Sequence, residues 1–335
     1  MSSGIDSTLV ICLLRKTLPE INIESISVTF SDSVDESPNA IKIAEKFEAN
    51  HHVLLIDNFF KELPKAISIT KLPYWDLHWY NITKKAKSLT DVFLSGDGGD
   101  ELFGGYTFRY QKFLSTIKSN FTALEKVKAY LNCHERDWVS DQEQIFGKNI
   151  IFSWEEIYSL LYPYFDNNLD SLSQVFLADY NGKLLYNMVP LYNKFHKFFN
   201  LTYVAPLLSD KLISYATHLP ISSKYDYEKN VGKILLKKLL EKHHIDNLIT
   251  EQKQGFSVNT VNLWNSYGHK LCKYYLTDAR ITKDGWINNE WINKYIDKTN
   301  LNVRYINKFL GLLAFEIWYR LFITKEILEN ETLEL

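Results

Sequence analysis

The chain has 335 residues, 46% of them hydrophobic, enough for one large or two ordinary domains around a buried core, which excludes a disordered chain. With 38 basic and 40 acidic residues the net charge is −2, so no overall field draws the chain to nucleic acid or to an anionic membrane. Its three cysteines (Cys12, Cys133 and Cys272) stand far apart with no C-x-x-C spacing, which argues against a disulfide framework or zinc site and fits a reducing, cytoplasmic setting.

The chain opens on "MSSGIDS", with no signal-peptide pattern, and runs into a uniformly apolar stretch that predicts a buried helix over 7–16. "SISVTF" (25–30), "HVLLI" (52–56) and "DVFLS" (91–95) are short and rich in β-branched or apolar residues, as buried parallel strands are. Between the first two, Ala40, Ile43, Ala44 and Phe47 form one helical stripe behind Pro38. Alternating helix and strand predicts an α/β fold with a doubly wound, mostly parallel sheet, whose ligands bind beyond the carboxyl ends of the strands.

From about residue 116 the pattern changes. "NVGKILLKKLLEKHH" carries Val231, Ile234, Leu235 and Leu239 at helical spacing, and no convincing strand follows. The expectation is a nucleotide-binding α/β domain over 1–115 and a mainly helical region over 116–335, with the active cleft between them. The late stretch "FLGLLAFEIWYRLFI" contains Glu316 and Arg320 and is short for a membrane span, so it reads as a buried helix. The adjacent pairs His51–His52 and His243–His244 make poor chelates, because neighbours diverge on a helix and oppose each other on a strand.

Two loops carry the chemistry. In the first, hydroxyls of Ser2, Ser3 and Ser7 can donate to phosphate oxygens while Gly4 lets the backbone approach, and a helix N-terminus adds unpaired amides. Asp6 would repel a phosphate unless Mg²⁺ bridges the two. A serine-rich helix cap with an acid in its first turn is an equally ordinary account of this loop alone. The second loop, "SGDGGDELFGGY" from Ser95, packs three carboxylates into five residues, which repel unless a cation lies among them. The EF-hand calcium pattern does not fit it. A metal–nucleotide site with Asp6 and Asp100 on the metal accounts for both loops together.

"SSGIDS" resembles the S-G-G-x-D-S pyrophosphate loop of the N-type ATP pyrophosphatases, and "SGDGGDELFGGY" resembles the signature of the asparagine synthetase family within that group. Weaker likenesses follow in "ANHHVLLI", "LPYWDLHW", "GKILLKK", "EQKQGFSV" and "LLAFEIWYRLF". The resemblance implies an adenine nucleotide α-hydrolase-like sheet and a two-step ligation with ATP and Mg²⁺. A carboxylate, by default aspartate, is adenylated with release of pyrophosphate, and an amine then displaces AMP to give an amide. It implies Asp6 and Asp100 as metal ligands, and Ser2, Ser3, Gly4, Asp6, Ser7, Gly96 and Lys233 around ATP and pyrophosphate. Asp97 takes the place of the general base, and Lys253 would offset charge on the adenylated intermediate. Taken by itself, Lys253 is an ordinary solvated lysine.

Three departures qualify the resemblance. No glutaminase domain is expected, so ammonia comes from solution, from a separate amidotransferase subunit or from an amine on the substrate; a homodimer is compatible with this. The family places a central strand ahead of the pyrophosphate loop, where this sequence has only Met1, so a truncated chain is expected, or another strand in the gap. The family's S-L-E-x-R-x-P-F-L-D segment stands here as "NLTYVAPLLSD", with Thr202 and Val204 at the glutamate and arginine positions. Those changes favour amidation or lactam formation on another carboxylate. Modification of tRNA lacks its basic surface and cysteine pairs, and a non-catalytic remnant is the remaining alternative.

Overall fold

The computed structural model describes residues 1–30, 35, 37–249 and 258–334. Helix α1 (Ile5–Thr17) begins two residues earlier than the apolar run suggests, because Gly4 takes an extended N-cap conformation and the Thr8 amide donates to its carbonyl. Asp6 lies in its first turn, with Arg15 and Lys16 in its last, each charge favourable to the helix dipole. Its burial is one-sided rather than uniform: Leu9, Ile11 and Cys12 face the core while Leu13 is exposed.

Strand β1 (Glu24–Phe30) leads through α2 (Ser37–Lys46) to β2 (Asn50–Ile56), and the two strands pair in parallel from Glu24 opposite Asn50 to Phe30 opposite Ile56. This is a right-sized βαβ crossover, with Ala40, Ile43 and Ala44 fully buried as the stripe requires. His51 and His52 take opposite faces: His51 contacts Ser25 and Ser27, His52 contacts Glu24. Burial holds His51 down to about 4, so it is a neutral ring in a serine cradle.

The third expected strand is β3 (Val92–Leu94), and its parallel partner is β4 (Thr202–Val204), from the region expected to be helical. A short antiparallel pair, β5 (Tyr225–Asp226) and β6 (Val231–Gly232), also lies there. The expectation of no strands after residue 116 is therefore corrected: strands of two or three residues are too short to show a period of two. Val231 belongs to β6, and Lys233 (φ 55°) turns the chain before the helix Ile234–Lys242 starts. That left-handed turn breaks the predicted stripe. The buried face is Leu236 and Leu240, and Leu239 is exposed.

Parallel strands joined through helices agree with the α/β expectation, but one continuous doubly wound sheet is not present among the described residues. The β1–β2 and β3–β4 pairs are separate, and a cavity of about 590 Å³ lies between β1 and β3. Ile26, Val28, Val92 and Leu94 border it, and Val10 and Ile11 of α1 and Ile82 and Ala86 of the helix His78–Lys87 line it further. The amino group of Met1 borders it as well, donating to the Ile26 carbonyl.

Beyond residue 116 the chain is mainly helical. Its longest element, Val303–Phe322, is capped by the Asn302 side chain and buries Ile306, Phe309, Leu310, Leu313 and Ile317 against residues of both halves of the chain. Glu316 is buried within it, yet its carboxylate accepts from the Arg280 and Ile281 amides and from Arg320, which satisfies the charge locally. Among the described residues no helix is long and apolar enough to cross a membrane.

Candidate active site

The two loops predicted to cooperate meet at the carboxyl end of β3 and the N-terminus of α1. The first is folded on its own hydroxyls. The Ser2 and Ser7 Oγ atoms lie 3.0 Å apart, the Gly4 amide donates to Ser2 Oγ, and Ser7 Oγ donates to the Ser2 carbonyl. Ser3 is buried beneath them. The loop thus presents serines and a glycine at the positive end of a thirteen-residue helix.

Glycine in the second loop is a packing requirement. A Cβ on Gly96 would lie 2.7 Å from Asp6 Cβ, and one on Gly99 would lie 2.3 Å from Asp6 Oδ1. Gly98, at φ 90°, makes the left-handed turn from β3 into the short helix Gly99–Phe103. Bare backbone at these positions is what lets the Asp6 carboxylate enter the second loop. Residues 90 and 93 positions apart in the sequence thereby touch, and so the two motifs form one site.

Asp6 and Asp100 converge on a single nitrogen. Lys233 Nζ lies 2.6 Å from Asp6 Oδ2 and 2.6 Å from Asp100 Oδ1. The two oxygens are thus close enough to share a cation, as the sequence requires. Lys233 is pinned by its amide donating to the Phe103 carbonyl, and Gly232 lies where any Cβ would strike the Gly104 carbonyl at 1.9 Å. Burial opposes its charge, but the two carboxylates outweigh that and hold the ammonium above the ordinary lysine range. Among the described residues no group of three or more His, Cys, Asp or Glu converges as a metal cage. Two carboxylates drawn to one cation position do fit Mg²⁺, which commonly takes one or two protein carboxylates and completes its shell with phosphate and water.

Asp97 sits apart from that pair, half-buried beside β4. The Tyr203 hydroxyl donates to its Oδ2, Ser95 Oγ lies 2.8 Å from the same hydroxyl, and the Asp97 amide bonds Ser95 Oγ. Burial pushes the Asp97 carboxyl up, the bonds from Tyr203 and Ser95 pull it back, and Asp100 pushes it up again. Tyr203 in turn stacks on His196, ring centroids 4.2 Å apart, and His196 Nε2 accepts from Trp79 Nε1. Burial holds His196 down to about 4, so this wall is aromatic and uncharged.

On the far side of Asp100, the buried Glu101 carboxylate accepts from the Tyr106 hydroxyl, and Lys183 Nζ lies 2.5 Å from that hydroxyl. Arg109 stacks over the Tyr106 ring and pairs with the buried Asp179. Burial pushes Glu101 up and Lys183 down.

The structure thus brings Ser2, Gly4, Asp6, Ser7, Gly96, Asp97 and Asp100 to one cavity, with Ser3 buried in the loop and Lys233 bridging the acids. Lys253 lies outside the described residues. Sequence reading missed Tyr203 and Lys183, and counted Glu101 among the loop's three carboxylates without giving it a role. Glu101 and Tyr106 were visible inside the quoted motif, whereas Tyr203 had no signal beyond its place between Thr202 and Val204.

The family model for asparagine synthase matches residues 1–320. Asparagine synthetase (glutamine-hydrolyzing) 1 of Bacillus subtilis is 24% identical over 372 aligned positions, spanning 99% of this chain and 57% of its own length. Asparagine synthetase (glutamine-hydrolyzing) of Gallus gallus is 30% identical over 122 positions, 32% of this chain and 21% of its own. The match therefore covers little more than half the length of the first of these relatives and about a fifth of the second. With the two loops joined through Asp6, Asp100 and Lys233, and a match over all but the last 15 residues, the chain belongs to the asparagine synthase family.

Proposed function

We propose that this chain is an ATP-dependent amide ligase of the asparagine synthetase kind, acting on aspartate by default. The observation that carries this is the convergence of Asp6 and Asp100 on one cation position at the N-terminus of α1. The serine loop and the helix end bind and orient the phosphate groups of ATP, and Lys233 offsets charge that develops on pyrophosphate as the α–β bond breaks. Asp6 and Asp100 would hold Mg²⁺, whose positive charge neutralises the departing pyrophosphate. Asp97 takes a proton from the attacking amine; a carboxyl raised by burial is a better base than an exposed one. Lys253, from the segment after Ile249, would steady the adenylated carboxylate. Ammonia arrives from solution or from a separate glutaminase subunit.

Exchange of labelled pyrophosphate into ATP, dependent on Mg²⁺ and aspartate, tests the first step. Exchange that no carboxylate supports, in a chain that still binds Mg-ATP, would overturn the assignment. A second reading, amidation or lactam formation on another carboxylate, is favoured by the surroundings of Asp97. Tyr203 points to it, while residues 202 and 204, on the other face of β4, are exposed. An acceptor recognised by Tyr203 and its aromatic neighbours need not be a small dicarboxylate, and exchange with other acids but not aspartate would select this reading.

We further propose that residues 1–115 form the nucleotide-binding unit completed by 116–335, and that the cavity between β1 and β3 takes one more parallel strand. Its support is the pair of facing strand edges, closed on two sides by Val10, Ile11, Ile82 and Ala86. A strand buried on both faces reads as a continuous apolar run of about six residues. Fusing such a run to the amino end of Met1 raises Tm by several degrees; an unchanged Tm refutes the added strand.

A further inference from the structure

We propose that Lys233 is a resident cation that occupies the Asp6–Asp100 position and excludes a lone divalent ion, giving the position up only when nucleotide phosphate arrives with the metal. This rests on the assignment of a metal–nucleotide site to the two loops, and adds an order of binding to it.

Geometry leaves the ammonium little choice. Its two contacts, 2.6 Å each, are to the very carboxylates that would ligate Mg²⁺. The side chain is 12% exposed, against 19% for Asp6 and 39% for Asp100, so the ammonium is largely sheltered from water. Its stem passes Gly105 so closely that a Cβ there would meet Lys233 Cε at 2.5 Å and Asp100 Oδ1 at 1.8 Å. Its backbone is fixed at both ends, by the amide on the Phe103 carbonyl and by its own carbonyl accepting from Lys237. Lys233 can swing about its side-chain torsions, but it cannot leave the site.

Consider a metal ion entering alone. It must break two charge-assisted hydrogen bonds and then stand beside an ammonium that has lost both partners, in a partly dry pocket. The same ion entering with a triphosphate meets a different balance. The carboxylates turn to the metal, and the displaced ammonium finds phosphate oxygens within its short reach. Metal and nucleotide therefore bind with positive coupling, and each strengthens the other by the same factor. An enzyme built this way does not fill its metal site ahead of its nucleotide.

The test is direct binding of Mn²⁺, followed by electron paramagnetic resonance, to the wild-type chain and to Lys233→Met, without nucleotide. Lys233→Met is expected to bind Mn²⁺ at least tenfold more tightly than wild type. Lys233→Arg, which keeps the charge, stays weak. Equal or weaker Mn²⁺ binding by Lys233→Met overturns the proposal. Should Lys233→Met fail to fold, wild-type melting decides: Mg²⁺ alone leaves Tm unchanged, and Mg²⁺ with α,β-methylene-ATP raises it. A rise with Mg²⁺ alone as large as the rise with both overturns the proposal. If the metal–nucleotide pair does not bind the wild type at all, the nucleotide site itself is refuted; if it binds but Lys233→Met gains nothing, only the resident-cation role falls.

Discussion

The two walls of the site differ in kind. On one, two charged loops from distant parts of the sequence close on each other around Asp6, Asp100 and Lys233. On the other, Asp97 lies against Tyr203, backed by His196, Phe93 and Trp79. The first wall is suited to phosphate, whose charge is the same for every substrate of such a ligase. On the proposed reading the second faces the acceptor, which is where one ligase differs from another. Chemistry that must balance formal charge leaves little freedom in residue type, while an aromatic wall can be built in many ways.

The largest effect is expected on the charged wall. Asp6→Asn keeps the size of the side chain but removes a carboxylate from the shared cation position. Pyrophosphate exchange should fall by about 10³-fold, as loss of a preorganised charged group in such a site does. Retention of exchange within a few-fold of wild type would mean that Asp6 holds no metal.

Asp97→Asn comes next and separates the two steps. Amide formation should fall by about 10²-fold, the low end of what a positioned base contributes, while pyrophosphate exchange survives. A matching loss of exchange would move Asp97 from base to nucleotide binding and blur the division between the walls.

These two substitutions fall where the sequence was most legible. Glycines and acids in "SGDGGDELFGGY" have few structural uses together, and contact with Asp6 accounts for Gly96 and Gly99 as close approaches. Strands β1 and β2 were readable because the quoted runs of six and five residues are rich in apolar or β-branched side chains, although Val53 and Leu55 of β2 are exposed rather than buried. Three-residue β3 and β4 could not express a period, and the pairing of Val92 with Thr202 is a tertiary fact that no local pattern encodes. Lys233 was found through its motif, but its bridge between two acids was not, since the preceding left-handed turn hid where the helix begins. Tyr203 was illegible for a related reason. One residue of phase on β4 decides whether position 203 or its neighbours 202 and 204 face Asp97.

Tyr203→Phe tests that phase. The lost hydroxyl leaves Asp97 with one fewer donor to its charged form, so its pKa, already raised by burial, rises further. A base must be deprotonated to act. The acid limb of the rate profile for amide formation should therefore move to higher pH, with a several-fold lower rate on that limb and convergence toward wild type at higher pH. An unshifted limb would detach Tyr203 from the base.

The smallest effects should come from the two positions where the family pattern is broken. Thr202 and Val204 pair through their backbones with β3, and the Val204 carbonyl accepts from the Ser95 amide. Their side chains, exposed on the other face from Tyr203, contribute nothing to those bonds. Thr202→Ala and Val204→Ala should each leave exchange within about twofold of wild type, the range of surface substitutions away from special features. A larger loss, confined to one carboxylate in the acceptor panel, would put that side chain against the acceptor after all. The aromatic wall would then be only half of the specificity surface, and the departure of "NLTYVAPLLSD" from the family pattern would mark selection for a different acid rather than the freedom of an outward-facing edge.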